Sequence, residues 1–568
     1  MIHKFLKYAG YPVRSAARKR MHAFLQRCRD SRTTQQETLQ RLLQLNAESR
    51  FSRDFGLHPG LSPDEFRARF PISGYERFEP YIERVKTGET SALLGAKNEL
   101  LMFALSSGTT SNSKFIPITR PFLDDYRRGW QVWGIHAIDH HPGLDQGDIF
   151  QISSHPNRFQ TSGGTPCGNI SGLVASMQSL LIRLIYSLPR EIVCVENPEA
   201  KYYAMIRLAL ADPLISWITT ANPGTLVKLS ALMDSYKEQL VRDVFEGTLS
   251  CPFPMSVAER KSLVCRRSKP NRPRARELER LVEQTGTLRP RDCWTNLKLL
   301  AVWTGGSAGA YLPAIRDLFG EVPIRDHGLH ASEGRMTIPF EDEVSHGILD
   351  VTSHFFEFIP EREIDSPNPV SLLSHELEEG QNYYLLMTTP SGLYRYDIHD
   401  VVRCVGFYGT TPQLEFLHKG AHISNVTGEK VAESQVVTAV RCAAEKLNFT
   451  LPQFTVVPVW DDPPEYRILL EQSDSLPSDL AERFASLIDE ELKSLNCEYR
   501  EKRETHRLGR LAFQLVPDGT WSRLSDRRNS RVGSSLEQYK HPCLIPDLEF
   551  FNQLDPGNQP SAPLNEIS

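Results

Sequence analysis

An α/β fold divided into one large and one small domain is what this sequence predicts, and three observations carry the prediction. From about residue 100 to 420, apolar runs of strand length alternate with helical patterns. The runs Gly147–Ser153, Ser216–Asn222, Asn296–Thr304 and Tyr383–Thr389 are separated by stretches such as Tyr202–Ala211 and Ala310–Phe319. Such alternation argues for layers of helices over largely buried strands. At 568 residues the chain is also too long for one ordinary core. After about residue 417 the texture changes to a compact module: helix Ala432–Leu447, strands Phe454–Trp460 and Tyr466–Glu471, helix Ser478–Leu495 and strand Leu511–Pro517. That module has the size of a separate domain. The expected boundaries are therefore 1–416 and 417–555, with the Pro-containing stretch 556–568 as a disordered tail.

The first 29 residues contain no acid and carry eight Lys and Arg. This reads as a basic amphipathic helix folded onto the protein and continuing through Gln35–Asn46, in preference to a transit peptide. Ser62-Pro-Asp-Glu65 has the form of a capping box. The basic run Arg266–Arg276 lacks interleaved aromatics and leads into acidic Glu277, Glu279 and Glu283, which favours a solvated connection over a nucleic-acid patch. The net charge of −5 gives no reason to expect nucleic acid as a partner. No apolar run has the length of a membrane span. Ten scattered cysteines without a Cys-x-x-Cys pair read as reduced thiols, which points to the cytoplasm. His327 and His330 are three apart, but no Cys or second His pair completes a zinc set.

Chemistry gathers in four places. Leu105-Ser-Ser-Gly-Thr-Thr-Ser-Asn-Ser-Lys114 packs hydroxyls around Gly108 and adds one cation before a β-branched segment. Backbone N–H groups, hydroxyls and an ammonium in such a turn can wrap polyphosphate oxygens. It is not a Walker loop, because Ser113 precedes Lys114 and Phe115 follows it. In Tyr394–Arg403, Asp400 follows an apolar strand, where its carboxylate can accept from both hydroxyls of a ribose, with Arg403 bracing and Asp397 a weaker candidate. In Gly328–Arg335, small residues let a base or phosphate approach, and Glu333 offers a hard oxygen for Mg²⁺. In Trp303–Ala310, Gly305-Gly-Ser307-Ala-Gly309 satisfies the nucleophile-elbow pattern, with Asp326 or Asp400 and His418 or His422 in serine-hydrolase order; no His-Gly-Gly-Gly oxyanion segment lies upstream, and a loop that lines a ligand pocket is the preferred reading. Lys540 and Lys430 in the second domain are candidates to meet an α-phosphate.

Taken in order, Ser106-Ser-Gly-Thr-Thr-Ser111, Ser162-Gly-Gly-Thr-Pro166, Trp303–Gly309, Ala331-Ser-Glu333, Gly392–Tyr396 with Asp400, Pro412-Gln413 with Phe416, and Gln538-Tyr-Lys540 resemble the plant auxin-responsive Gretchen Hagen family of acyl-acid amido synthetases. These segments are collinear from about residue 50 to 550. The resemblance implies an adenylate-forming fold with a β-barrel element and a mobile C-terminal lid. It implies that Ser106, Ser107, Gly108, Thr109 and Thr110 hold ATP phosphates. Ala331, Ser332 and Glu333 would hold AMP and Mg²⁺, Asp400 the ribose with Arg403 weaker, and Lys540 or Lys430 would assist catalysis.

For the acid, the helix Pro121–Trp133 offers Tyr126 and Trp130 as an apolar wall and Arg127 or Arg128 for a carboxylate, beside Gly164, Gly306 and Ser307. The chain departs from the plant pattern at Ser111-Asn-Ser-Lys114 and at His330-Ala-Ser-Glu-Gly334, and its acid-free N-terminus looks more like a bacterial relative. The expected activity is ATP-dependent adenylation of a small carboxylic acid and transfer of the acyl group to an amine, an amino acid above all, by a monomeric enzyme. An acyl-CoA ligase of the same superfamily and the serine hydrolase are the alternatives.

Overall fold

The computed structural model describes residues 10–106, 114–152, 159–176, 183–364, 366, 369–420, 423–424, 426–427, 429, 431–461, 463–504, 507–532, 541–548 and 550–554. Residues up to Phe416 form one compact unit, and most of the chain from Leu417 onward forms a second.

In the first unit four parallel strands lie in the order Asp148–Gln151, Ile215–Thr219, Leu299–Val302, Ile324–Asp326. The third is buried at every position, as a strand covered on both faces must be. Helix Pro198–Leu210, almost wholly buried, packs here with Leu226, Leu240, Leu278 and Ile315. A second, mixed sheet has the order Lys114–Thr119, Leu100–Ser106, Pro166–Gly168, Phe159–Gln160. A third, of seven strands, has Tyr396–Tyr408 near its centre between Thr411–Lys419 and Asn382–Thr388.

The basic N-terminus folds onto this unit as two helices, Tyr11–Cys28 and Ser31–Leu45. Continuity fails at Asp30, whose carboxylate caps the second helix by accepting from the Thr33 N–H at 3.1 Å. Gln35 then docks that helix on the third sheet, donating to the Val351 and His354 carbonyls at 2.8 Å each and accepting from the Phe356 N–H at 2.7 Å. The Ser62–Glu65 capping box forms. The basic run is not a solvated connection: Arg267 pairs with Asp148 and Asp212, and Arg274 is buried, donating to the carbonyls of Leu210 and Cys293. Sequence spacing could not show this, because the acceptors lie on elements distant in the chain.

The second unit has a sheet of Thr455–Val459, Glu465–Glu471 and Ala512–Val516 with helices Glu433–Leu447 and Ser478–Leu495. Val457, Leu469, Val516 and Trp521 are in its core. The proposed tail 556–568 lies outside the described residues.

Candidate functional site

The candidate site is built at the carboxyl ends of the parallel strands, where open α/β sheets place their ligand-binding loops. Strand Leu299–Val302 ends in Trp303, and Ile324–Asp326 ends in the segment that carries His327 to Arg335. Asp326 ties the two exits together. Its carboxylate accepts from the Thr304 N–H and hydroxyl at 2.6 Å each and from the Gly328 N–H at 2.5 Å. Burial pushes this carboxyl up to about 6, against those hydrogen bonds. Gly328 has φ +84°, and a Cβ there would stand 2.2 Å from the Thr337 carbonyl oxygen, so only glycine fits this turn. Both oxygens of Asp326 are thus spent on the loops, and no histidine is bonded to it among the described residues. Asp326 is therefore not the acid of a Ser–His–Asp relay on Ser307; the side chain of Ser307 lies outside the described residues.

His330–Ala331 pairs antiparallel with Gly334–Arg335, and Ser332 and Glu333 form the turn between them. Glu333 is buried there, within electrostatic reach of Tyr75 and Tyr396. Burial, then the charges of Glu79, Glu83 and Glu333, push the Tyr75 phenol up to about 12, against its hydrogen bond with the Phe115 backbone. Tyr396 is raised by burial first and then by Glu333. Lys114 donates to the Tyr396 hydroxyl at 3.4 Å and lies over the rings of Tyr75 and Tyr396. Ser106 is the register partner of Lys114, so the hydroxyl-rich loop springs from this point. Ser107, Gly108, Thr109, Thr110 and the side chain of Ser106 lie outside the described residues.

Tyr396 opens the strand that carries Asp400, which is buried. Two non-glycine residues with left-handed backbone precede Tyr396 and Asp400 directly, Arg395 at φ +44° and His399 at φ +58°. Arg395 is held there by Glu357, Ser371 and the carbonyls of Arg67 and Phe70. Such strain persists only where the surroundings impose it. The Asp397 carboxylate accepts from the His399 N–H at 2.7 Å and so serves the turn.

Three expectations are corrected. Arg403 is exposed and donates to Asn382 at 3.0 Å, its register partner on the neighbouring strand, so it is engaged on the strand pair. Arg128 is committed to Asp125 at 2.7 Å and to the hydroxyls of Thr352 and Ser353, so it is not waiting for a substrate carboxylate. Gly164 sits in the tight turn before Pro166–Gly168. That strand runs parallel to Leu100–Ser106 with Phe103 opposite Cys167, so the turn is at the end of the sheet away from Ser106.

Tyr126 and Trp130 lie together on the helix Arg120–His140. Trp130 packs edge-on to Tyr126, His327 and His330, and Trp303 packs against His330 and Phe416. Gly306, at φ +58°, opens the turn beyond Thr304. His327 and His330 each spend a ring nitrogen on the protein, on the Thr219 hydroxyl and the Gly328 carbonyl. Lys430 and Lys540 lie outside the described residues. Sequence reasoning missed Asp326 as the tie between loops, Tyr396 as the partner of Lys114, and Arg335. The first had a signal, since Asp followed by Gly two residues on is turn chemistry.

The chain belongs to the GH3 family: residues 20–324 match the GH3 family N-terminal domain, 347–419 the central domain and 434–549 the C-terminal domain. Among its relatives, indole-3-acetic acid-amido synthetase GH3.4 of Arabidopsis thaliana is 26% identical over 93% of this chain and 91% of that protein. Jasmonoyl–L-amino acid synthetase JAR4 of Nicotiana attenuata is 24% identical over 91% of this chain and 92% of that protein. The solved GH3.15 acyl acid amido synthetase has the same fold, with a TM-score of 0.80 at 21% identity, covering 94% of this chain and 95% of that one. The expected family resemblance is borne out. These named plant relatives lend nothing to a bacterial source.

Proposed function

We propose that this chain is an ATP-dependent acyl acid amido synthetase. One observation carries the proposal beyond family membership. The base of the hydroxyl-rich loop at Lys114, the Glu333 turn and the start of the Asp400 strand, all far apart in sequence, meet around Tyr396. In the first half-reaction the acid's carboxylate oxygen attacks the α-phosphorus of ATP; the acyl-adenylate forms and pyrophosphate leaves. In the second, the amine nitrogen of an amino acid attacks the acyl carbon; the C–N bond forms, AMP leaves and a proton is released. Activation is required because a bare carboxylate is a poor electrophile. Holding acid and ATP in one place removes the entropic cost of their encounter.

Asp400 is the proposed ribose partner, and its burial leaves hydrogen bonds from the two hydroxyls poorly screened by solvent. Glu333 is a buried carboxylate on a fixed turn, a donor type suited to Mg²⁺; when bound, the ion would neutralise phosphate charge. Ala331 and Ser332 belong to the same proposed AMP contact. The second unit's Lys540 and Lys430 are the proposed catalytic cations, to be separated by the variants Lys540→Ala and Lys430→Ala. Among the described residues no helix is long and apolar enough to cross a membrane, and a cytoplasmic monomer is part of this proposal.

The test is acid-dependent exchange of pyrophosphate into ATP across a panel of aromatic, aliphatic and indole acids, followed by mass spectrometry of the amide formed with amino acids. At least one acid should support exchange, and Asp400→Ala should lower it roughly 100-fold or more, the worth of two charge-assisted hydrogen bonds. Exchange with no acid, together with ester hydrolysis that Ser307→Ala removes, would overturn the proposal.

A further inference from the structure

Arg335 differs from the other buried arginines of the first unit in how few partners it has. It is 1% exposed, yet among the described residues it makes a single hydrogen bond, from Nη2 to the His327 carbonyl at 2.5 Å. Among the described residues, Nε and Nη1 meet no acceptor. Arg395, by contrast, is bonded through every nitrogen, and Arg325 meets Asp342 and three histidines. Asp350 and Asp326, whose charges Arg335 feels, form no ion pair with it among the described residues: Asp350 is engaged by Thr352 and Ser353, and Asp326 by Thr304 and Gly328. A guanidinium buried with donors unmet is costly, and one that persists calls for a partner from outside the chain.

The surroundings are arranged to seat it. The Arg335 guanidinium lies over the Trp130 ring, with Cζ 4.5 Å from the centroid. Gly129 interrupts the helix Arg120–His140 with a poor helix former. A Cβ at Gly129 would stand 2.6 Å from Arg335 Cδ and 3.1 Å from Nε, so the helix has given up a side chain where the arginine passes. The neighbouring side chains are flat rings: Tyr126, Trp130, His327 and His330.

We propose that Arg335 sets the specificity of the acyl-acid pocket, and that its partner is a second anionic group on an aromatic acid, distinct from the carboxylate being activated. The activated carboxylate loses its charge on becoming an acyl-adenylate. An arginine paired with that carboxylate would stabilise the free acid more than the transition state, which opposes catalysis. A second carboxylate keeps its charge through both half-reactions and satisfies the guanidinium throughout. The flat neighbours select a ring to carry both groups. The inference rests on the amido-synthetase reading and names the substrate class of that same site.

The test compares matched acids in the exchange assay: benzoate against isophthalate, and phenylacetate against 3-carboxyphenylacetate. In the wild-type protein kcat/KM should favour the diacid by about 30-fold, the range of a charge-assisted pair. Arg335→Met should abolish that preference while still activating the monoacid. Gly129→Ala, which keeps the charge but displaces it, should reduce the preference, and thermal melts of each variant establish that it folds. Should Arg335→Met not fold, Arg335→Lys and Gly129→Ala decide by the same ratio. Monoacids preferred in both pairs, or a ratio equal in wild type and variants, overturns this inference alone. Exchange with none of these four acids, while another acid of the wider panel supports it, also overturns this inference alone; exchange with no acid of the panel sinks the amido-synthetase reading and this inference with it.

Discussion

His354 shows how a single buried side chain couples this fold to pH. It is 2% exposed, packed against Phe122 and Phe356, with no hydrogen-bond partner for Nδ1 among the described residues. Burial lowers it to about 3, far under the usual range for histidine. The folded chain therefore keeps it neutral while the unfolded chain takes up a proton below about 6.5. Its stabilising contribution is whole at pH 7 and is lost as pH falls through that window towards 3. Between pH 7 and pH 5 the loss from this group should be roughly 2 kcal/mol. His354→Leu should shrink the difference between urea-unfolding free energies at the two pH values by about that amount. An unchanged difference would mean that the ring is protonated in the native state. Asp326 makes a related point: a carboxylate that sequence order offers to a catalytic relay is occupied instead by three donors from the loops it ties.

At the level of elements, the strand pair Asn382–Thr388 and Tyr396–Tyr408 depends on the clamp between Arg395 and Glu357. Arg395 Nε donates to both Glu357 oxygens at 3.1 and 3.0 Å, and the two side chains are 5% and 1% exposed. The clamp holds Arg395 in a left-handed backbone that aims Tyr396 towards Lys114. Removing one partner of a buried pair leaves the other charge uncompensated. Arg395→Met should cost about 3–5 kcal/mol in denaturant unfolding. The double variant Arg395→Met, Glu357→Met should lose clearly less than the sum of the two single changes, because no orphaned charge remains. Additive losses would contradict this account of the clamp. None of this was visible in the pattern Gly392–Asp400, which reads as a strand with a polar turn; the partners Glu357 and Ser371 are many residues away.

Across the first unit, long-range ionic ties fix segments that the local sequence leaves undetermined. Arg267 bridges Asp148 and Asp212, which lie at the start of one parallel strand and just ahead of the next. Burial first, and then the charge of Asp212, push the Asp148 carboxyl up, with Arg267 opposing. A raised carboxyl binds its proton more readily in the folded chain. Its contribution is therefore whole below the unfolded value of about 4 and is lost as pH rises through the raised one. Arg267→Met removes the opposing cation, so its destabilisation should be greater at pH 8 than at pH 5. An equal loss at both would show that the two carboxylates do not share this environment.

Most of the architecture was legible locally: strands near Asp148, Ile215 and Leu299, the Ser62 capping box, and the second unit's helices Glu433–Leu447 and Ser478–Leu495 all lie close to their sequence expectations. Hydrophobic period and turn chemistry act over a few residues, so the sequence by itself determined the α/β class, the element order and, through collinear motifs, the family. Which arginine is spent on the fold and which awaits a ligand was decided only by tertiary structure. Arg128 and Arg335 look alike as residues, but one meets a carboxylate and two hydroxyls and the other a lone carbonyl. The reason is physical: a buried charge takes its meaning from acceptors supplied by distant segments, and only the folded chain brings those within hydrogen-bond distance.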